Sequence, residues 1–205
     1  MFTRNSALSV VFVLSFMAGF CSPSFALPVK IYGRDDFNLP IPADPAKSLG
    51  LMKPATIEIT DDFIIKDINV FITIEHTNVF DLHVYLEGPG QTRICLNMYD
   101  FKDSFFIGAG YIRTIFDDEA PVAIEQGKAP FTGRYKPKAV GKDNLLSTFD
   151  GRNLAGVWKL QVEDMYYSDT GSLKSFKLFV TVPEPVTAVF FTLGAIYTVF
   201  FSKRR

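Results

Sequence analysis

Apolar and polar residues alternate with period two in five separate stretches of this chain. Ile57 and Ile59 alternate with polar neighbours, and Ile68, Val70, Ile72 and Ile74 alternate with Asn69, Phe71, Thr73 and Glu75. Leu82, Val84 and Leu86 repeat the pattern, as do Trp158, Leu160 and Val162, and then Phe176, Leu178, Val180 and Val182. Successive side chains of a strand point to opposite faces, so each stretch predicts a half-buried strand. Thr92-Arg93-Ile94-Cys95-Leu96 has strand-like character, with Cys95 as a small buried apolar residue. Gly88-Pro89-Gly90 and Ser168-Asp169-Thr170-Gly171 read as turns, with glycine available where φ must be positive. Between residues 27 and 182 nothing sustains a helical stripe. The expectation is an all-β, antiparallel, jelly-roll-like β-sandwich over residues 55–182, preceded by a proline-rich extended leader or edge segment at 27–54. Trp158, Phe63, Phe71 and Phe179 are assigned to packing.

Both ends of the chain break this pattern. Arg4 precedes an uninterrupted apolar run from Ala7 to Phe20, and Ser24-Phe25-Ala26 supplies small residues at the positions a signal peptidase reads. This predicts a signal helix at 1–26, cleavage after Ala26 and export. An uncleaved anchor is the alternative; a lipoprotein signal at Cys21 is disfavoured by bulky Phe20 before it. At the other end, Pro183-Glu184-Pro185 stops the last strand, because proline removes a backbone donor and fixes φ. Residues 186–202 are uncharged and apolar, about long enough for a transmembrane helix, and Lys203, Arg204 and Arg205 follow as the positive-inside rule expects.

The tail resembles that of the PEP-CTERM proteins of Gram-negative bacteria, in Pro183-Glu184-Pro185, the apolar span containing Gly194 and the basic terminus. The resemblance implies an inner-membrane-anchored precursor whose tail, residues 183–205, an exosortase removes as it passes the protein to the cell surface or extracellular matrix. A plain membrane anchor is the alternative.

The whole chain has 21 basic and 22 acidic residues; setting aside Arg4, Lys203, Arg204, Arg205 and Glu184 leaves 17 against 21, a net charge of about −4. No basic stripe of the kind nucleic-acid binding needs is present. Only Cys95 survives removal of the signal, so no intrachain disulfide can form, and stability must come from packing or metal ions.

The middle of the chain resembles the P domain, or Homo B domain, the β-sandwich found beside the catalytic domain of kexin- and furin-like subtilisin proteases. The matching pieces occur in the family's order: Ile68-Asn69-Val70-Phe71-Ile72, Glu75-His76-Thr77, Asp81-Leu82-His83-Val84-Tyr85-Leu86 and Gly88-Pro89-Gly90-Gln91-Thr92. Thr114-Ile115-Phe116-Asp117-Asp118-Glu119-Ala120, Pro130-Phe131-Thr132-Gly133-Arg134-Tyr135-Lys136-Pro137 and Leu146-Ser147-Thr148-Phe149-Asp150-Gly151 come next. Gly156-Val157-Trp158-Lys159-Leu160, Val162-Glu163-Asp164 and Asp169-Thr170-Gly171-Ser172-Leu173 close the series, so that the resemblance spans roughly 55–182.

Catalysis is not expected. Nucleophilic hydrolysis needs a base beside the nucleophile, and only His76 and His83 are available, both read as structural or solvent-facing. Gly-x-Ser-x-Gly, His-Glu-x-x-His and phosphate-cradling loops are absent from the sequence. Asp81, Asp117, Asp118, Glu119, Asp164 and Asp169 fall at strand ends or turns. The resemblance implies calcium at the Asp117-Asp118 pair, and oxygen-rich loops suit that ion. Asp81, Asp164 and Asp169 are further candidate ligands. Turn-capping by the same aspartates is the alternative, and Gly108-Ala109-Gly110-Tyr111-Ile112-Arg113 departs from the more polar run usual before the pair. Phe105, Phe106, Tyr111, Tyr166 and Tyr167 are assigned to loops, where a glycan platform would need them. The sequence thus predicts a binding or structural module whose partner is an envelope or matrix protein or a polysaccharide. The runner-up is an in-trans partner of a secreted subtilisin-like protease, and an enzyme of unrecognised type ranks third.

Overall fold

The computed structural model describes residues 27–47, 49–98, 109–138, 141 and 144–183. The expected signal helix, with Ala26, and the apolar tail, with Glu184, Pro185, Lys203, Arg204 and Arg205, lie outside the described residues. Among the described residues no helix is long and apolar enough to cross a membrane.

The strands are β1 Val29–Arg34, β2 Leu39–Ile41, β3 Gly50–Leu51, β4 Ala55–Ile59, β5 Asp67–His76, β6 Leu82–Glu87, β7 Arg93–Asn97, β8 Tyr111–Phe116, β9 Phe131–Tyr135, β10 Gly156–Asp164 and β11 Gly171–Thr181. One sheet has the order β1-β11-β5-β8-β9, with β2 also on β11; the second has β3-β10-β6-β7, with β4 also on β10. Their inner faces share one core, in which Ile68, Val70, Ile72 and Ile74 of β5 meet Leu82, Val84 and Leu86 of β6 and Trp158, Leu160 and Val162 of β10. The apolar members of all five alternating stretches are buried. Burying them outweighs strand-ordering entropy because each removes a whole apolar side chain from water. Trp158 is fully buried against Phe149 at 4.8 Å and donates its indole N–H to the Leu154 carbonyl at 2.9 Å.

Two features differ from expectation, and a third settles between alternatives. Of the leader and edge-segment readings of 27–54, the structure shows the edge segment. β1 pairs with β11 over its whole length, β3 pairs with β10, and Phe37, Ile41 and Met52 enter the core. Its prolines obscured the pattern but sit beside short edge pairings, where a missing donor is tolerated. The sandwich is also not wholly antiparallel, since β8 and β9 run parallel. The long connection over residues 117–130 permits this, because parallel neighbours need a crossover. Tyr111 is a buried strand residue stacked on Phe131 at 5.3 Å, its hydroxyl accepting from Asn97 Nδ2 at 2.5 Å, and so is removed from any glycan platform. An extra residue in β8 between Tyr111 and Thr114, which shifts the register with both β5 and β9, hid its period.

Turn chemistry also has a finer explanation. The positive φ in the β10–β11 turn falls on Ser168, at 80°. Gly171 serves a different purpose: a Cβ there would lie 2.2 Å from the Glu75 carbonyl oxygen, so only glycine lets β11 begin against β5.

At Cys95 the free edge of β7 is met by a side chain, and at Leu96 by the Lys138 N–H, which donates to its carbonyl at 3.0 Å. Asn144 Oδ1 accepts from the Cys95 N–H at 2.7 Å and Asn144 Nδ2 donates to the Cys95 carbonyl at 2.8 Å, reproducing the two bonds a neighbouring strand would make. Unpaired strand edges invite association with other chains, and this carboxamide removes that opportunity at Cys95. Burial raises the Cys95 thiol to about 11, leaving it an inert core group. We expect Asn144→Ala to cost about 1–3 kcal/mol, the penalty for orphaned backbone groups, as a lowered urea midpoint with unchanged slope.

Candidate functional site

The candidate ligands do not form one site. Phe116 pairs with Val70 near the start of β5, whereas Asp81 follows the far end of that strand. The rise along β5 from Val70 to His76 is about 20 Å. Asp117 and Asp118 therefore lie at one end of the sandwich, and Asp81, Asp164 and Asp169 at the other.

At the first end each aspartate oxygen already has a donor. Arg134 donates to Asp117 Oδ2 through Nε at 2.8 Å and Nη2 at 2.5 Å, and the Glu119 N–H donates to Asp117 Oδ1 at 2.9 Å. Asp118 accepts the backbone N–H groups of Leu146 and Ser147, one on each oxygen, at 3.1 and 2.8 Å. Burial pushes the Asp117 carboxyl up, but hydrogen bonds from Glu119 and Arg134 overcome it and hold the group below its ordinary value. Glu119 moves the other way, to about 7, because its carboxyl hydrogen-bonds Asp117 and is partly desolvated. Calcium needs several oxygens free of competing donors. Here Asp117 is held by a guanidinium and an amide, and Asp118 by two amides, the hydrogen bonding of the turn-capping alternative.

At the second end, the residues joining β5 to β6 meet the β10–β11 turn. His76 is buried, with Nδ1 against the Asn78 backbone and Nε2 3.2 Å from Asp164 Oδ2. Asp164 Oδ1 accepts the Tyr166 N–H at 3.1 Å. Asn78 Nδ2 donates to Asp81 Oδ2 at 2.8 Å while Asn78 Oδ1 accepts the Phe80 N–H at 3.3 Å, capping the short turn before β6. The Thr77 hydroxyl donates to Asp169 Oδ1 at 2.5 Å. Burial, then the charges of Asp169 and Asp164, raise Asp81 to about 6. His83 lies half-buried in β6, edge-on to Tyr85 at 6.0 Å. Among the described residues no three His, Cys, Asp or Glu side chains are arranged to hold a metal ion.

Tyr166 and Tyr167 are exposed in the β10–β11 turn, whereas Phe105 and Phe106 lie outside the described residues. Phe71 and Phe179 contact each other at 5.8 Å, on strands β5 and β11. Sequence reasoning missed Arg134, whose partner Asp117 is brought to it only by the parallel β8–β9 register. It also missed Asn69, a half-turn of pattern on a strand that reads simply as alternating.

A carboxyl whose folded pKa is raised from 3.8 to about 6 favours folding below its unfolded pKa and loses that contribution as pH rises through the folded value. Asp81 therefore makes the wild-type domain less stable as pH climbs from about 4 to about 6. Asp81→Asn keeps an acceptor for Asn78 and removes the charge. Thermal melts across that range are expected to show a flatter profile and, at pH 7, a gain on the order of 1–3 kcal/mol.

Comparison with known proteins adds a family. No curated protein matches the chain. Among solved structures it is similar to the serine protease of Aeromonas sobria, at 18% identity and a TM-score of 0.42, covering 77% of this chain and 27% of that one. The complex of the same protease with its chaperone gives 18% identity and a TM-score of 0.42, with 78% and 27% covered. The chain thus spans about a quarter of the length of those proteins. A family model, that of the proprotein convertase P-domain, matches residues 127–180, which run from just before β9 almost to the end of β11. Over that stretch, the β9-to-β11 part of the sandwich, the chain is similar to the proprotein convertase P-domain.

Proposed function

We propose that this chain is an exported, non-catalytic P-domain module, sorted by its PEP-CTERM-like tail and displayed at the cell surface or in the matrix to bind another macromolecule there. The observation that carries the non-catalytic reading is the commitment of its acid–base groups to structure. Both nitrogens of His76 are engaged in a buried network, Asp117 holds Arg134, and Asp118 caps the turn at residues 146 and 147. A general base needs a free nitrogen within reach of a reacting proton, and His76 offers none. Signal peptidase and an exosortase are the processing partners in this reading, and residues 186–202 hold the precursor in the inner membrane before processing.

A second reading, an in-trans stabiliser of a secreted subtilisin-like protease, is favoured by the family itself, which is a convertase domain. Co-purification of such a protease from the native envelope would select it over matrix display.

Intact-mass measurement and fractionation of the native protein test the sorting. Loss of residues 1–26 and of the tail, with product at the surface or in the matrix, is the expected result. A product retaining residues 183–205 in the inner membrane would replace sorting by plain anchoring.

Calcium, which the resemblance implies for Asp117 and Asp118, is replaced in this reading by Arg134 as the local counter-charge. The melting temperature is expected to be the same in calcium and in EDTA. Arg134→Met is expected to cost about 1–3 kcal/mol, by leaving the buried Asp117 carboxylate without its donor. A calcium-dependent rise in the wild-type protein would restore the metal site.

A further inference from the structure

A groove on the outer face of the larger sheet has a cavity of about 380 Å³ and lies apart from the His76–Asp81 corner. Strand register builds it. Ile31 pairs with Phe179 and Phe179 with Asn69, and in the next row Val29 pairs with Thr181 and Thr181 with Asp67. Val29, Ile31 and Phe179 form an apolar wall, facing Asp67, Asn69 and Arg134. Val29 and Ile31 are 58% and 63% exposed, unusual for aliphatic residues on a paired strand.

The polar wall has an unmet requirement. Asn69 is only 9% exposed, and its Nδ2 donates to Asp67 Oδ2 at 2.9 Å. Its Oδ1 is buried with no hydrogen-bond partner, the one such side-chain atom among the described residues. Turning the amide over would set oxygen against the Asp67 carboxylate, so the orphan is an acceptor. An unmet buried acceptor is costly in a native structure and calls for a donor.

The surrounding charge says which kind. Burial pushes the Asp67 carboxyl above its ordinary value, and the charges of Asp117 and Asp118 push it further. Burial, and then the charges of Asp67 and Asp118, raise Asp150. Arg134 and Asp117 offset one another, which leaves Asp67, Asp118 and Asp150 as the carboxylates that make up the excess. An anionic ligand would meet this excess of carboxylates; a cationic one would relieve it. A primary ammonium carries three donors and no acceptor, and a lysine side chain adds an alkyl stem that packs on apolar surface.

We propose that this groove receives a lysine side chain from a segment of a partner protein, its stem along Val29, Ile31 and Phe179 and its ammonium donating to Asp67 and, once the Asn69 carboxamide turns toward the groove, to Asn69 Oδ1. The inference rests on the binding-module reading only for where the partner is met. A titration in vitro tests the groove whatever fractionation shows about sorting.

The experiment uses the full chain in detergent micelles, labelled with nitrogen-15 at asparagine, with Asn69→Asp identifying the Asn69 side-chain signal. The probes are Nα-acetyl-lysine methylamide, its norleucine counterpart and Nα-acetyl-glutamate methylamide. The lysine probe is expected to shift the Asn69 amide in a saturable way, and the other two to leave it in place. Asp67→Asn should weaken the lysine response by about tenfold or more, as loss of a charge-assisted hydrogen bond does. The remaining asparagine signals report whether that variant is folded. No shift with lysine, an equal shift with norleucine, a shift with the glutamate probe, or an undiminished response in a folded Asp67→Asn variant would each overturn the proposal.

Discussion

The long ladder between β5 and β11 is the constraint on which the rest of this sandwich depends. It runs from Asp67 opposite Thr181 to His76 opposite Gly171, with one irregularity between Leu173 and Ser175. Its inward rows, Val70 with Leu178 and Ile72 with Phe176, supply fully buried side chains to the shared core. Outward rows set Asn69 beside Phe179 and Phe71 beside Lys177. A slip of one residue would turn every one of these side chains to the other face. Gly171 guards against such a slip at the far end, where no Cβ fits between β11 and the Glu75 carbonyl.

The two ends of that ladder carry the aspartates, and they handle like charge differently. Around Asp117 the protein brings its own cation and backbone amides, so that carboxyl stays ionised. Around Asp81, burial and two neighbouring carboxyls favour the neutral form, and His76 engages only Asp164. Acidic clusters of this kind look like cation sites in a sequence. Their hydrogen bonds instead give them the work of joining loops: Asp118 ties the β8–β9 connection to residues 146 and 147, and Asp169 ties the β10–β11 turn to Thr77.

The hydrogen bonds of His76, Asp117, Asp118 and Asp169 commit these groups to holding loops together. The sheet edges differ from one another. Asn144 bonds both backbone groups of Cys95 with a single carboxamide. At Cys95 the β7 edge is therefore occupied, whereas β1 leaves the apolar side chains of Val29 and Ile31 exposed beside Asp67 and Asn69.

Much of this was readable from residue order alone. Period two in β4, β5, β6, β10 and β11 determines which faces are buried, because alternation and pleat share one period. The ordered motifs pointed to the family, and the apolar ends with their flanking charges carry the expectation of export. Sequence did not reveal β1, β2 and β3, because short edge pairings flanked by proline have no pattern of their own, nor β8 and β9, where the extra residue in β8 and Gly133 in β9 break the alternation. Which aspartates share a corner, that Arg134 holds Asp117, and that Asn69 lacks a partner were decided only by tertiary structure. Those facts depend on register between strands far apart in the chain, and alternation fixes which face a side chain occupies without fixing the neighbour it meets there.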